Sequence, residues 1–546
     1  MEQTWNVVSG RVYLQFLPDV CIHQVPYSQT DPREESFRSS AYVPRPHLVP
    51  IISAISFADI TNHHTASAHH DVHEGTPPRS RTLVHLLQSA RKSAPNHSRN
   101  IHVTTKMSPT NTPLPLWIDG KEVSTSATYD VYSPSTGDKL WTSYGASAKE
   151  ATEAVESAQR AFKTWRKTKP AERRKIILKA ADIIETRATE LVDYMKQETG
   201  ALDGFSNFNI STTVEVFRSI AGLIGNINGV IPQTQAPGTG AFVFKEPYGV
   251  IYGMAPWNAP YILGSRSFLY AIAAGNTVVF KGSELSPRTA WALGSVMHEA
   301  GLPAGVLNVI YHRPEDAVSV SNTIIEHPAI KKINFTGSTA VGSILSSKAG
   351  KELKPVLMEL GGKASAIVCE DADIEKAAFQ CALGSFFHAG QICMATERIL
   401  VHSSIIDNFG EALKSATEKV YPPSADAPVL IAKAGVKKNR ELREDAEKKG
   451  AKVLYGDPGS KEESEHRIRP LILSGVKKDM DVFYTESFGP TVSLIAIDSD
   501  EHAIELANDT DYGLSGAVFT ESLARGLRIA REIDSGAVHI NSMTVQ

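Results

Sequence analysis

Between Val250 and Val368 the sequence alternates short apolar runs with helical segments, and nothing else in it restricts the fold as strongly. Val250 to Ala255, Thr277 to Phe280, Val306 to Ile310, Lys332 to Phe335 and Ala364 to Val368 read as strands, and segments such as Arg288 to Glu299 read as helices between them. Strand, helix and strand in that rhythm predict a parallel sheet with crossover helices, and a nucleotide site at the carboxyl ends of its strands. A second alternating α/β region runs from about Ile374 to Asn541, and its charged helix Lys437 to Lys449 reads as a solvated face. Upstream, Leu116-Trp-Ile-Asp-Gly-Lys121 and Tyr129-Asp-Val-Tyr-Ser133 read as short strands punctuated by Asp-Gly and Ser-Pro turns. Ser147 with Glu150 forms a capping box that opens a helix to about Trp165, and Pro170 starts a second helix ending near Gly200.

With 546 residues the chain has ample material for a large core, and a net charge of -4 provides no global field for nucleic acid or an anionic membrane. A small-molecule site is the expectation. Four cysteines, Cys21, Cys369, Cys381 and Cys393, lack CxxC pairing, which argues against a disulfide framework or a structural zinc and for a cytoplasmic protein. The most apolar stretch, Tyr261 to Phe280, is interrupted by Arg266 and Asn276, so no transmembrane helix is expected. Residues 1 to 106 hold ten of the 18 histidines, with many Ser and Pro, and read as a disordered extension. Its acidic residues speak against a transit peptide. The pairs His63-His64 and His69-His70 fix no coordination geometry, so no metal site is assigned.

Context separates the cysteines. Cys369 closes an apolar run and Cys381 lies on the apolar side of a helix that begins after Asp373, so both read as core. Cys393 follows His388-Ala-Gly-Gln-Ile392, where Gly390 allows a tight turn beside a ligand, and a thiolate there needs backbone N–H groups or a nearby base. Glu359, before Leu360-Gly-Gly-Lys363, is either an ordinary strand-end carboxylate or an acid whose apolar setting tunes it for proton transfer. Asn258 is either the N-cap of the following helix or an amide that donates to a developing oxyanion. Lys281 and Glu284 supply one donor and one acceptor that could grip ribose hydroxyls.

Six segments occur in order: Pro256-Trp-Asn258, Phe280-Lys-Gly-Ser-Glu284, Phe335-Thr-Gly-Ser338 with Val341-Gly342, Met358-Glu-Leu-Gly-Gly-Lys363, Gly390-Gln-Ile-Cys393 and Glu486-Ser-Phe-Gly-Pro490. Together they resemble the aldehyde dehydrogenase superfamily from about residue 115 to the end. The resemblance implies two Rossmann-like parallel-sheet domains, one for cofactor and one catalytic, plus a small β oligomerisation arm. The implied boundaries are 107–230 and 250–360 for the NAD-binding domain, 231–249 for the arm and 361–541 for the catalytic domain. It implies Cys393 as nucleophile, the Asn258 amide and the Cys393 N–H as oxyanion donors, and Glu359 as the base that activates water. Trp257, Lys281, Glu284, Gly337, Ser338, Gly342, Leu360, Glu486 and Phe488 are the implied cofactor contacts, with the pyrophosphate at a helix N-terminus. An anionic Glu284 would repel a 2′-phosphate, so NAD is expected over NADP.

If the helix begins near Asn258, positions 258, 262 and 266 share one face, placing Ile262 and Arg266 at the entrance opposite Phe387, Ile392 and Met394. Such a pocket suits a flat ring, and Arg266 could bond a ring hydroxyl; the alternative is that Arg266 serves a structural ion pair. The segments Asn258 to Arg266 and Asn541 to Val545 also resemble the salicylaldehyde, benzaldehyde and vanillin dehydrogenase branch, so an aromatic aldehyde is the expected substrate. Two departures stand out. Gly282 occupies a position where the family has proline, which is expected to loosen the loop. Family members also continue past the Ile540-Asn541 strand into an oligomerisation strand, whereas this sequence stops at Gln546. The family's homodimer or tetramer is the expected assembly, with the arm's edge left unpaired. A weakly active or inactive nucleotide-binding relative is therefore a second expectation, and a coenzyme A-acylating relative a third, which Glu359 disfavours.

Overall fold

Two seven-stranded sheets, joined by a link of four residues, organise the chain. The computed structural model describes residues 112–456, 460 and 463–545, with the backbone of Val20–Cys21, and all of these lie in one compact unit. Of the expected N-terminal extension only Val20–Cys21 is described, as a two-residue strand antiparallel to Glu246–Pro247; the rest falls outside the described residues.

The N-terminal hairpin β1 (Leu116–Ile118) and β2 (Lys121–Val123) turns through Asp119 and Gly120, both at positive φ (55° and 70°), the type I′ geometry that Asp-Gly favours. A separate hairpin pairs β3 (Ala127–Tyr132) with β4 (Lys139–Gly145). Helix α1 (Ala148–Trp165) starts at the expected capping box, Ser147 with Glu150. The single helix expected from Pro170 to Gly200 is two, α2 (Pro170–Thr186) and α3 (Ala188–Thr199), broken at Arg187, whose guanidinium is held by Glu190 and Glu299. Gly200 ends α3 in the left-handed conformation, and α4 (Asp203–Leu223) follows.

The first sheet adds β5 (Val250–Met254), β6 (Thr277–Lys281), β7 (Leu307–Ile310), β8 (Ile330–Thr336) and β9 (Val356–Glu359), in the order β9-β8-β5-β6-β7-β1-β2. The five later strands are parallel, with antiparallel β1 and β2 at one edge. Helices α5 (Pro260–Ala273) and α6 (Pro287–Glu299) cross over on the β5 to β7 side, and α7 (Thr339–Lys351) leads from β8 to β9. The chain reverses direction across the sheet between β5 and β8, so this is a topological switch point, where open α/β sheets bind ligands. Register aligns Met254 with Lys281 and Phe335, Lys281 with Ile310, and Thr336 with Glu359.

Ala364 to Val368, expected in that same parallel sheet, instead starts the second. Strands β10 (Ala364–Val368), β11 (Thr396–His402), β12 (Lys452–Tyr455), β13 (Leu471–Ser474), β14 (Thr491–Ile497), β15 (Ser515–Phe519) and β16 (Ala537–Ile540) run in the order β12-β13-β14-β11-β10-β15-β16. Only β12 is antiparallel. The reason for the switch is the pair of glycines at 361 and 362, which interrupts the apolar run after Glu359 and ends pairing with β8. Each sheet has its own buried core, and Cys369 and Cys381 lie in the second, as expected of small apolar side chains.

Candidate active site

Chemistry-bearing residues meet where the carboxyl edge of the first sheet faces the amino edge of the second. From β5 the chain passes through Pro256 and Trp257 to Asn258, from β6 to Glu284, from β8 to Gly337, and β9 ends on Glu359. From the second sheet come Lys363 just before β10, Cys393 just before β11, and Glu486 to Pro490 just before β14.

Asn258 does not cap α5. The cap position is Ala259, and the first N–H groups of the helix, those of Tyr261 and Ile262, donate to Asn209 Oδ1 on α4 at 3.2 and 3.3 Å. Asn209 thus takes the capping task and leaves the buried Asn258 amide free for the cysteine loop, where its Nδ2 donates to the Gln391 carbonyl at 2.9 Å. One hydrogen of that amide remains available.

The cysteine loop is held by contacts distant in sequence. His388, Ala389 and Gly390 are successive left-handed residues (φ 50°, 55° and 71°), and at Gly390 a Cβ would lie 2.2 Å from the Gly489 carbonyl. The expected glycine turn is therefore real but three residues long, and non-glycine residues in that region are strained by about 1–3 kcal/mol each. What holds it is tertiary. The His388 ring stacks on Phe205 at 4.3 Å, Ala389 N–H donates to the Tyr421 hydroxyl at 3.2 Å, and the Gln391 side chain bonds Val429 O at 3.2 Å and Ile431 N–H at 3.0 Å. After the cysteine, the Met394 carbonyl accepts from Thr544 Oγ1 at 2.6 Å, so the last described residues brace the loop. Opposite, a Cβ on Gly362 would lie 2.1 Å from the Cys393 carbonyl oxygen, an approach that only glycine allows.

Burial pushes the Cys393 thiol up to about 12, helped by the negative charges of Glu486 and Glu359 and opposed by its own backbone N–H and Arg266. Burial also raises the Glu359 carboxyl above its ordinary value, opposed by Arg266. Each feels Arg266, so the three lie within electrostatic reach of one another. Arg266 is solvent-exposed, and no ion pair to it is found among the described residues. Ile262 is buried on the same α5 face, and Phe387, Ile392 and Met394 are half-buried on the cysteine side, with Phe387 edge-on to Phe205 and Phe208 at 5.0 and 5.8 Å. Phe205 and Phe208 extend the aromatic wall, and their only local signal is a spacing of three on a helix.

Lys281 Nζ lies 3.4 Å from Glu284 Oε2. Burial pushes Glu284 up, but Lys281, its own backbone N–H and His312 outweigh that and leave the carboxyl below its ordinary range. Gly282 does not loosen this loop as expected: a Cβ there would lie 2.3 Å from Ala290 Cβ, so the position is tightly packed against α6. Ser338 caps α7, and Gly337 N–H donates to Glu359 O at 3.0 Å. Leu360 packs on Gly342, where a Cβ would approach it to 2.5 Å. Glu486 accepts from Gly362 N–H at 2.8 Å, and Phe488 sits edge-on to Trp257 at 5.8 Å. A cavity of about 710 Å³ runs from Thr339 past Met358, Glu359 and Gly361 to Thr485 and Tyr512. Among the described residues no group of side chains could hold a metal ion, and no helix is long and apolar enough to cross a membrane.

Comparison with known proteins agrees with this geometry. The chain is 41% identical over 440 residues to a vanillin dehydrogenase of a Pseudomonas species, covering 79% of this chain and 90% of that one. It is 38% identical over 438 residues to a salicylaldehyde dehydrogenase of Pseudomonas putida, covering 79% and 89%. The crystal structure of a salicylaldehyde dehydrogenase from Pseudomonas putida G7, complexed with salicylaldehyde, superposes with a TM-score of 0.76 at 36% identity, covering 80% of this chain and 90% of that chain. Residues 117–546 match the aldehyde dehydrogenase family, and the chain belongs to that family of NAD(P)-using oxidoreductases acting on aldehydes.

Proposed function

We infer that the protein oxidises an aromatic aldehyde to its carboxylic acid with NAD, through a thiohemiacetal and then a thioester on Cys393. The observation that carries this reading is the convergence of Glu359 from one sheet and Cys393 from the other across Gly362, with the Asn258 amide tied to the cysteine loop. The Cys393 sulfur, its proton given up to solvent, adds to the aldehyde carbon, and the carbonyl electron pair moves onto oxygen. That oxygen is held by the second Asn258 amide hydrogen and the Cys393 N–H, donors of the kind that stabilise a developing oxyanion. When bound, the dinucleotide would supply the acceptor for the hydride that leaves the thiohemiacetal carbon, whose oxygen lone pair re-forms the carbonyl of the thioester. Glu359, ionised, then takes a proton from water as the water oxygen adds to the thioester carbon. The carbon–sulfur bond breaks, releasing acid and thiolate.

The residues fit the dinucleotide. The Lys281–Glu284 pair offers a donor and an acceptor to ribose hydroxyls, and an anionic Glu284 opposes a 2′-phosphate, which supports NAD over NADP. In the first turn of α7 the Val341 N–H is taken by the Ser338 cap, while the Thr339 and Ala340 N–H groups have no partner within the helix and favour an anionic pyrophosphate. Glu486 and Phe488, beside Trp257, suit the nicotinamide end. Exposed Arg266, within electrostatic reach of Glu359 and Cys393, and the aromatic cluster of Phe205, Phe208 and Phe387 support a hydroxylated ring as substrate, and the names of the relatives support the same class. Exposed Phe242 and Phe244, stacked in the 231–249 arm, support assembly as a homodimer or tetramer. No observation favours the inactive relative.

A panel of aldehydes followed by the absorbance of reduced nicotinamide tests the whole reading. Salicylaldehyde and vanillin should be oxidised with higher kcat/KM than hexanal, and Cys393→Ser should abolish turnover. Full turnover in that variant would end the proposal.

A further inference from the structure

One buried ion pair at the amino edge of the second sheet has no part in the steps above. Lys363 Nζ lies 2.6 Å from Glu397 Oε2, with side-chain exposures of 0% and 4%. Burying two charges costs several kcal/mol per ion even after relaxation, which pairing must offset, and such a pair is weak evidence for stability. Its remaining bonds show what it holds. Lys363 Nζ also donates to the Thr485 carbonyl at 2.8 Å. Glu397 accepts from Ser487 N–H at 2.9 and 2.8 Å, one distance to each oxygen, and from Phe488 N–H at 3.1 Å. Two successive backbone N–H groups closing on one anion form a nest, a conformation that needs a left-handed residue. Phe488 is that residue, at φ 46°. A phenylalanine in that region is strained, and here the carboxylate offsets the strain by gripping the backbone on both sides of the peptide.

The gripped segment carries two residues assigned above to the nicotinamide end. Glu486 reaches Gly362 N–H at 2.8 Å, and Phe488 meets Trp257 on the opposite sheet. Lys363 stands four positions after Glu359, and Glu397 four after Cys393. The pair therefore ties the 485–488 segment to both reacting segments while touching neither Sγ of Cys393 nor the Glu359 carboxylate. Resting on the nucleotide reading above, we propose that Lys363 and Glu397 are positioning residues that set cofactor affinity by holding Glu486 and Phe488 through the 485–488 backbone.

Glu397→Gln keeps volume and removes the charge. Lys363→Met with Glu397→Leu removes both charges together, which protects folding where a single change leaves one charge unpaired. Two measurements separate positioning from general damage: the Kd for NADH, by titration of nicotinamide fluorescence, and cofactor-free cleavage of p-nitrophenyl acetate by Cys393. In both variants the Kd should rise tenfold or more, while ester cleavage falls no more than threefold. An unchanged Kd in either folded variant would overturn the proposal, as would a parallel fall of affinity and ester cleavage in the double variant. Failure of the unaltered protein to bind NADH would bring down the nucleotide reading first, and this proposal with it.

Discussion

Replacing Gly362 with alanine should damage catalysis out of proportion to the size of one methyl group. The added Cβ would lie 2.1 Å from the Cys393 carbonyl oxygen, whereas relaxed carbon–oxygen contacts need about 3.3 Å, so the surroundings must give by roughly 1.2 Å. Little there can give. Gly362 N–H is bound to Glu486, Lys363 is fixed in its ion pair, and the carbonyl belongs to a loop closed by the Ala395 N–H bond to Ile392. The displacement therefore falls on the separation between Cys393 and Glu359. A misplacement of about 1 Å in a reacting constellation costs on the order of 100-fold in rate. Overpacking adds about 1–3 kcal/mol of destabilisation, which a thermal melt would register without loss of fold. The assay is steady-state formation of reduced nicotinamide with saturating aldehyde, and kcat should fall about 100-fold. Gly361→Ala is the control, because its Cβ would meet the Glu486 carboxylate at 2.8 to 3.0 Å, and displacing that side chain costs its bond to Gly362 N–H without pushing on the Cys393 carbonyl; it should weaken NADH binding more than it lowers kcat. If Gly362→Ala retains kcat within threefold of the unaltered protein, the close approach does not set the reacting geometry.

Glu359→Gln should preserve a single-turnover burst of reduced nicotinamide and slow the steady state by about 10²–10⁴-fold, the range for loss of a general base; loss of the burst would place Glu359 earlier in the reaction. Because burial raises the Glu359 carboxyl and the base must be ionised, the acidic limb of kcat should lie above pH 4.5, activity rising as pH rises through it. Arg266→Leu removes the charge that opposes this rise, so the limb should move to higher pH; a shift to lower pH would contradict the assignment. The same variant should lose about 10-fold in kcat/KM for salicylaldehyde relative to benzaldehyde, the scale of one hydrogen bond to a charged group. Iodoacetamide should alkylate cofactor-free Cys393 slowly at pH 7 and keep accelerating to pH 10, since the thiol is pushed up to about 12; a rate plateau below pH 8 would show an already ionised sulfur.

The parts of this site that were legible in the sequence are those whose signal is local. A cysteine after a glycine turn, an acid before two glycines and a Lys-Gly-Ser-Glu run after a buried strand each announce themselves within a few residues as candidates. The parallel first sheet was equally legible, since its strands recur as apolar runs between helices. What stayed hidden depends on contacts between remote segments. The sequence left Asn258 open between a helix cap and an oxyanion donor, because the side chain that accepts from the first N–H groups of α5, Asn209, is 52 residues from Tyr261. Gln391, Glu397 and Thr544 act through bonds spanning 40, 90 and 150 residues, which no short window can contain. The break at Arg187 and the tight packing at Gly282 were missed for the same reason. Both follow from neighbouring helices, not from the propensity of the residue itself.

Placing the chemistry between two sheets has a consequence for how the site keeps its geometry. Glu359, the proposed base, ends one sheet and Cys393, the proposed nucleophile, precedes a strand of the other, so their separation depends on how the sheets are joined. The covalent join beside the site is short, Leu360 to Lys363, and each of its residues is tied down: Leu360 on Gly342, Gly361 against Glu486, Gly362 on the Cys393 carbonyl, Lys363 in the buried pair. A longer link would let the sheets shift as independent bodies, and a link with side chains at 361 and 362 would hold them apart. Two glycines give contact at van der Waals range while the flanking leucine and lysine anchor each end. The same four residues thus set the distance from Glu359 to the Cys393 sulfur and the seat of Glu486, so the proposed reacting pair and the proposed nucleotide end share one mechanical reference.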